Sequence, residues 1–422
     1  MIFGYLTSTE AGDDLKEKKN SGIEWIGEIP VDWKTIKSKY CISISNGSDP
    51  KTEGSTPVYG SGAESFKTCG EYKIGPAVLL GRKGATLHIP HYVEGNYWNV
   101  DTAFDATPFC GNINLKFYYY CACVFDYAGY ISQTTLPGMT QTNYKNMSIP
   151  FPQLEVQERI ANFLDEKCSQ IDAIITRQQE VVEKLKAYKL SVITEAVTKG
   201  LNPDVPMKDS GVEWIGQIPE HWTASVLRYG LENIQTGPFG SQLHAEDYIE
   251  DGIFVINPAN IVEGRIVPDN RCSVTESKAL ELSRHILNKG DIVFARRGEM
   301  GRCAYFAGDS QQYLCGTGCI KIQCNSTLLP EYIAWFLQTS CVKQYLTLNS
   351  VGTTMANLNT MIISGIPVLF PPKCEQEEIV QYIKRRINEI DLVVKNKERM
   401  VVKLSDYKKS LIYEMVTGKK EV

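Results

Sequence analysis

The sequence predicts an α+β chain in which two mixed α/β domains alternate with two long antiparallel coiled-coil helices, arranged as a pseudo-two-fold, circular repeat. Three observations predict it. A tryptophan-centred motif occurs twice, each copy opens a stretch of short strand-like runs broken by Gly, Pro and Asn, and each stretch ends in Ile-Pro before a long heptad-periodic segment. These divide the chain into an N-terminal extension (1–20), a first domain (21–152), a long helix (153–200), a linker (201–209), a second domain (210–372) and a second long helix (373–422).

The first motif runs from Ser21 through Trp25 to Pro30 and Trp33, and returns as Ser210 through Trp214 to Pro219 and Trp222, with eight of the ten residues from Ser21 to Pro30 unchanged. Its tryptophans are expected to pack and anchor the linkers rather than stack on bases. Further along, Leu79–Gly84 matches Val293–Gly298, and Gly138–Asn143 is paired with Gly352–Asn357. Within each domain one helix-like segment stands out near the end, Pro330–Leu337 in the second copy.

Proline then stops a strand at Ile149-Pro150 and Ile366-Pro367, and a helix follows. Leu164, Ile171, Leu185 and Val192 recur at one heptad position, with Ile174, Val181 and Tyr188 three residues on. The second copy repeats the seam as Ile383, Ile390, Leu404 and Leu411 with Val393, Met400 and Tyr407. A sustained 3.5 period means a coiled coil, and about 45 residues make each helix roughly 65 Å long. The second helix ends the chain where the first runs into a Pro-rich linker and a tryptophan motif; the matching motif sits at the N-terminus. The repeat is therefore expected to close on itself, with neighbouring termini.

Composition limits function. A run of 18 apolar residues is lacking, and Glu10, Asp13, Asp14 and Glu17 occupy the place of a signal-peptide core, so a cytoplasmic location is expected. Thirteen cysteines, an odd number without a CxxC pair, read as reduced thiols; Cys315, Cys319 and Cys324, even with His244 and His285, fit no common zinc spacing. No cofactor is expected in this chain. The net charge of -5 argues mildly against nucleic acid unless cations gather on one face or partners supply phosphate contacts.

Catalytic equipment is sparse. Neither an Asn-Pro-Pro-Tyr-type tetrapeptide nor a GxxxxGK[ST] loop is present, and Asn257-Pro258-Ala259 and Asn202-Pro203-Asp204 read as turns. Pro268-Asp269 with Glu276 and Lys278 superficially resembles a metal nuclease pattern; a loop with a solvated charge cluster is the plainer reading.

The matched basic pairs carry more. Arg82-Lys83 and Arg296-Arg297, with Arg302 nearby, sit where an apolar strand meets a Gly-permitted turn, and are assigned to DNA contact over a solvated loop paired with carboxylates such as Glu299. Gly237, Pro238, Phe239, Gly240 and Ser241 form either a purely structural turn or one whose backbone donors and hydroxyl meet phosphate or base edges. Thr140, Gln141 and Asn143, with Thr353 and Thr354, either donate to DNA or cap a helix.

Together, the doubled Gly-[IV]-Glu-Trp-Ile-Gly-x-Ile-Pro-x-x-Trp motif, the Gly-Pro-Phe-Gly-Ser turn and the Ile-Pro segment before a Glu-Gln-x-x-Ile helix resemble type I restriction-modification specificity subunits over Ser21 to Lys419. The resemblance implies two target recognition domains, each reading half of a split double-stranded DNA site. Helices then act as spacers that dock two modification (methyltransferase) subunits. Adenosylmethionine, ATP and magnesium would belong to those and to restriction (translocase and nuclease) subunits. The alternative is a stand-alone methyltransferase or nuclease with a built-in recognition domain; a coiled-coil scaffold without a DNA role is a third reading.

Overall fold

The computed structural model describes residues 17–62, 64–131, 138–349 and 358–422. It divides into two compact units, one ending at Glu180 and resumed at Lys397–Val422, the other Val181–Asn396. Each unit thus holds one domain and parts of both long helices.

In the first unit the tryptophan motif folds as a hairpin, Lys18–Asn20 against Glu28–Pro30. Strand Lys34–Lys37 follows and pairs with Ser148–Phe151, Ile36 opposite Ile149, which ties the start of the domain to its end. Between them lies an antiparallel sheet ordered Ile42–Asn46, Ala103–Pro108, Ala77–Gly81, His91–Val93. Ala77–Gly81 is buried throughout because its alternating side chains enter two cores. Val78 and Leu80 join the main core with Phe117 and Tyr118, while Ala77 and Leu79 join Val93 and Tyr97.

The second unit repeats this plan. Met207–Asp209 pairs with Gln217–Pro219, and Thr223–Val226 with Pro367–Phe370. The sheet runs Leu231–Thr236, Cys319–Cys324, Ile292–Ala295, Cys303–Tyr305. Again Ile292 and Phe294 face one core, Val293 and Ala295 another. Both hairpins draw in residues that the sequence assigned to the extension and the linker, Lys18–Asn20 and Met207–Asp209.

More short helices form than one per domain. Glu276–Glu281, read from sequence as a charged loop, is a helix capped by Thr275, whose Lys278 bridges Asp247 and Glu281. Asn257 opens a 3-10 turn over Pro258–Asn260, as its Pro suggested.

The long helices are Leu154–Lys199 and Lys373–Val416. Within the first unit the start of one runs antiparallel to the end of the other: Asp172 meets Lys408, and Ile160, Leu164 and Ile171 share a core with Leu411, Ile412 and Met415. Within the second unit Lys189 meets Asp391, and Ile193 and Val197 join Ile379, Ile383 and Ile387.

One line of the expected seam faces inward; the other does not. Five of its six residues, Ile174, Tyr188, Val393, Met400 and Tyr407, are exposed, and Val181 is half-buried. The second inward line lies four residues after the first, not three, at Cys168, Ile175, Val182 and Lys189 and at Ile387, Val394, Val401 and Lys408. Positions three and four away both adjoin a helical residue, so periodicity alone leaves two faces open. Pairing chose the face that also carries Lys189 and Lys408, cations that break its apolar pattern and close on Asp391 and Asp172.

The tryptophans pack as expected. Gly418 ends the second helix with φ of 69° against Pro30 and Trp33; Gly200 ends the first with φ of 75° against Trp222. A left-handed cap without a side chain lets each indole close over a helix end. The N-terminal motif thus serves the C-terminal helix, which is the circular order that the repeat implied.

Candidate nucleic-acid interface

At one end of each central sheet three turns converge. In the first domain the sheet strand ending at Gly81 delivers Arg82, whose backbone N–H donates to Thr102 O at 2.7 Å and whose carbonyl accepts from Met139 N at 2.9 Å. In the second, Arg296 N donates to Gly318 O at 2.9 Å and its carbonyl accepts from Leu358 N at 3.1 Å. The basic pairs are therefore structural equivalents. The loop after them is equivalent through Met139 and Leu358, not through the Gly138–Gly352 alignment drawn from sequence; Thr140 then corresponds to Asn359.

Within each pair the two cations differ. Arg82 is half-buried, its guanidinium donating to Asp101 O at 3.2 Å and lying 5.9 Å from the Phe104 ring. Arg296 donates through Nε to Leu358 O at 2.9 Å; burial and then the charge of Arg297 pull its pKa below the usual guanidinium value. Lys83 and Arg297, one residue on, are exposed. Each pair thus places one cation in the turn's framework and one facing solvent. Arg302 bridges Glu299 at 3.1 Å and donates to Pro258 O, and Glu299 is held below the usual carboxylate range by Arg302 and Lys343.

The glycine turn joins this cluster. Gly237 N donates to Cys319 O at 2.9 Å, and a Cβ on Gly237 would lie 1.9 Å from Gly316 O, so only glycine fits. Pro238 is buried beside it, whereas Phe239, Gly240 and Ser241 are exposed. Its counterpart, which sequence reasoning missed, is Gly47: Gly47 N donates to Ala103 O at 3.2 Å, and a Cβ there would meet Val100 O at 2.1 Å. The available signal was a glycine closing the strand that follows the tryptophan motif.

Thr140 caps the helix Gln141–Asn146, its hydroxyl accepting from Asn143 N at 3.0 Å. Gln141 donates to Ile44 O and Asn143 to Tyr130 O. All three side chains engage their own domain. Thr353 and Thr354 lie outside the described residues; Asn359 caps the helix Thr360–Ser364 in the same way.

Sequence reasoning also passed over two buried amides. Gln157 Nε2 donates to Asn112 O and Pro152 O, while Oε1 accepts from Asn114 N. Gln376 repeats the set with Thr327 O, Pro371 O and Leu329 N. Each amide fixes the loop between the sheet and a short helix to the first turn of a long helix.

Burial pushes the Cys315 thiol up to about 12 and raises Cys319 well above its ordinary value. Among the described residues, no group of three or more His, Cys, Asp or Glu is placed to hold a metal ion, and no helix is long and apolar enough to cross a membrane.

Known proteins share this architecture. The family model for the type I restriction modification DNA specificity domain matches residues 30–184 and 241–400. The type I restriction enzyme EcoBI specificity subunit of Escherichia coli is 21% identical over 291 residues, 68% of this chain and 61% of its own. The MjaVIII specificity subunit of Methanocaldococcus jannaschii is 24% identical, over 68% of this chain and 65% of its own. The chain thus spans under two thirds of both relatives. The EcoDI specificity subunit of Escherichia coli is 20% identical over 93% of this chain and 89% of its own. A chain solved in a study of complex assembly and conformational transition of the type I R-M system shares the fold, with a TM-score of 0.69 at 14% identity, over 93% of this chain and 99% of that one. With both of its domains matched by the family model, the chain belongs to the type I restriction modification DNA specificity domain family.

Proposed function

We propose that this chain is the non-catalytic DNA-recognition subunit of a type I restriction-modification enzyme, working in the cytoplasm. Each domain reads one half of a bipartite duplex site, and the long helices set the spacing and dock two modification subunits. Adenosylmethionine, ATP and magnesium are used by those modification subunits and by restriction subunits. The observation that carries this reading is the twofold recurrence of one turn cluster at a sheet end, with Lys83 or Arg297 exposed beside a glycine turn. Exposed cations grip phosphate and read guanine edges, and backbone turns position them. Direct phosphate contact is local to these turns, because the chain is acidic overall.

Methylome sequencing of cells carrying this chain with its modification subunit tests the proposal. The expected result is one bipartite motif, and exchanging residues 212–368 for a relative's domain changes one half only. A chimera that alters both halves sinks the independent-reading scheme. Methyl transfer or cleavage by the purified chain alone, with DNA, magnesium and adenosylmethionine, supports the enzyme reading instead.

A further inference from the structure

The two domain-to-helix junctions are built alike but carry opposite charges. In the first unit the short helix Leu115–Cys123 lies against the base of the first long helix, and Lys116 Nζ is 2.6 Å from Asp165 Oδ2. In the second the short helix Pro330–Phe336 lies against the base of the second long helix, and Lys384 Nζ is 2.8 Å from Glu331 Oε2.

These four residues occupy equivalent positions. The amide of Gln157 bonds Asn112 and Asn114 as that of Gln376 bonds Thr327 and Leu329, which aligns Lys116 with Glu331. The buried pairs Phe117 with Tyr332 and Tyr118 with Ile333 follow in register. On the long helices the equivalence of Gln157 with Gln376 aligns Asp165 with Lys384. The cation sits on the domain in one junction and on the long helix in the other.

A neighbouring hydrogen bond records the inversion. Tyr120 donates its hydroxyl proton to Asp165 Oδ1 at 2.7 Å. The equivalent residue is Trp335, whose Nε1–H is buried without a partner. An ammonium is a donor only, so Lys384 offers the indole no acceptor where Asp165 serves the phenol.

We propose that the two junctions are keyed by charge, so that the base of the first long helix accepts a recognition domain presenting a cation and the base of the second accepts one presenting an anion. Crossing them sets Lys116 against Lys384, or Glu331 against Asp165. The two domain positions of this chain are therefore not equivalent, although hairpin, strand pairing and glutamine lock are the same in both. Each pair is partly exposed, so solvent screens it and the discrimination is modest. The inference concerns assembly and holds whatever the domains read.

A double-mutant cycle on the full chain tests it, read as melting temperature. Glu331→Lys and Lys384→Glu should each lower it by about 2–4 °C, and the double variant should regain most of the loss. Lysine in the first helical turn carries its own cost, which cancels in the cycle. Additive losses in the double variant would overturn the coupling. A second measurement crosses the positions. In a chain with residues 21–152 in place of 210–371, Lys384→Asp should raise the melting temperature, and in the parent the same substitution should lower it. Lowering in both chains overturns the keying, and a crossed chain as stable as the parent does so too.

Discussion

Lys189 Nζ lies 2.6 Å from Asp391 Oδ1, a cation on the inward line of one long helix closing on a carboxylate of the other. Lys408 and Asp172, at the positions that the repeat makes equivalent, lie 2.6 Å apart in the first unit. Asp391 also accepts from Arg265 Nη2 at 3.2 Å, which gives it two cationic partners. Asp391→Ala should therefore cost more stability than Lys189→Ala, about 1 kcal/mol after allowing for screening. Equal losses in thermal melts would assign the stabilisation to Lys189 alone.

The buried amides should contribute more to stability than these ion pairs. Gln376→Leu removes the partners of Thr327 O, Pro371 O and Leu329 N in one step, leaving unsatisfied backbone groups beside a core. A loss of about 2–3 kcal/mol is expected in denaturant unfolding, and Gln157→Leu should match it in the first domain. A near-neutral Gln376→Leu would show that water replaces the lost bonds.

Gly237→Ala should disturb recognition of one half-site, because the new methyl group meets Gly316 O and the turn must move. Gly240→Ala is the control: nothing lies within 4 Å of its added Cβ and its φ is not in the left-handed region. Methylation assays on sites mutated in either half decide this, and equal activity of the two variants would remove the turn from the interface.

The two cations of a pair should separate in their effects. Arg297→Ala should leave thermal stability unchanged and reduce the salt dependence of DNA binding by about one phosphate contact, or relax specificity at one base pair. Arg296→Ala should lower the melting temperature, because its guanidinium holds Leu358 O. Binding by Arg297→Ala with unchanged salt slope and specificity would exclude it from contact.

His285 should make the stability of the chain depend on pH. It is buried, and burial, followed by the charges of Arg284 and Lys321, depresses its pKa to about 4. The unfolded chain binds the proton near pH 6.5, so this histidine favours the fold fully above that value. Stability should fall as the pH drops from about 6.5 towards 4. His285→Gln should flatten the upper part of that decline, before most carboxylates titrate; an unchanged profile would assign it to other groups, such as His91, also depressed by burial.

Much of the architecture is legible in the sequence. The doubled tryptophan motif, the Ile-Pro strand ends and the first heptad line each became the element expected, because all rest on local chemistry repeated twice. The turn cations were legible for the same reason, since Arg82-Lys83 and Arg296-Arg297 end equivalent apolar strands. Gly47 was less plain: like Gly237 it closes a strand that follows the tryptophan motif, but the residues after the two glycines differ, and the sheet register is what aligns them.

The order and number of parts follow from the chain's own residues, since periodicity, proline stops and repeats are properties of near neighbours. Folding in three dimensions was needed to choose which face of each helix turned inward, and to turn Thr140, Gln141 and Asn143 onto their own domain. It was needed as well to set inverted charges at the two junctions. Each of these depends on partners far apart in the chain, such as Lys189 with Asp391 or Lys116 with Asp165. Positions three and four along a helix both adjoin the first, so periodicity leaves the choice open and the partner across the interface settles it.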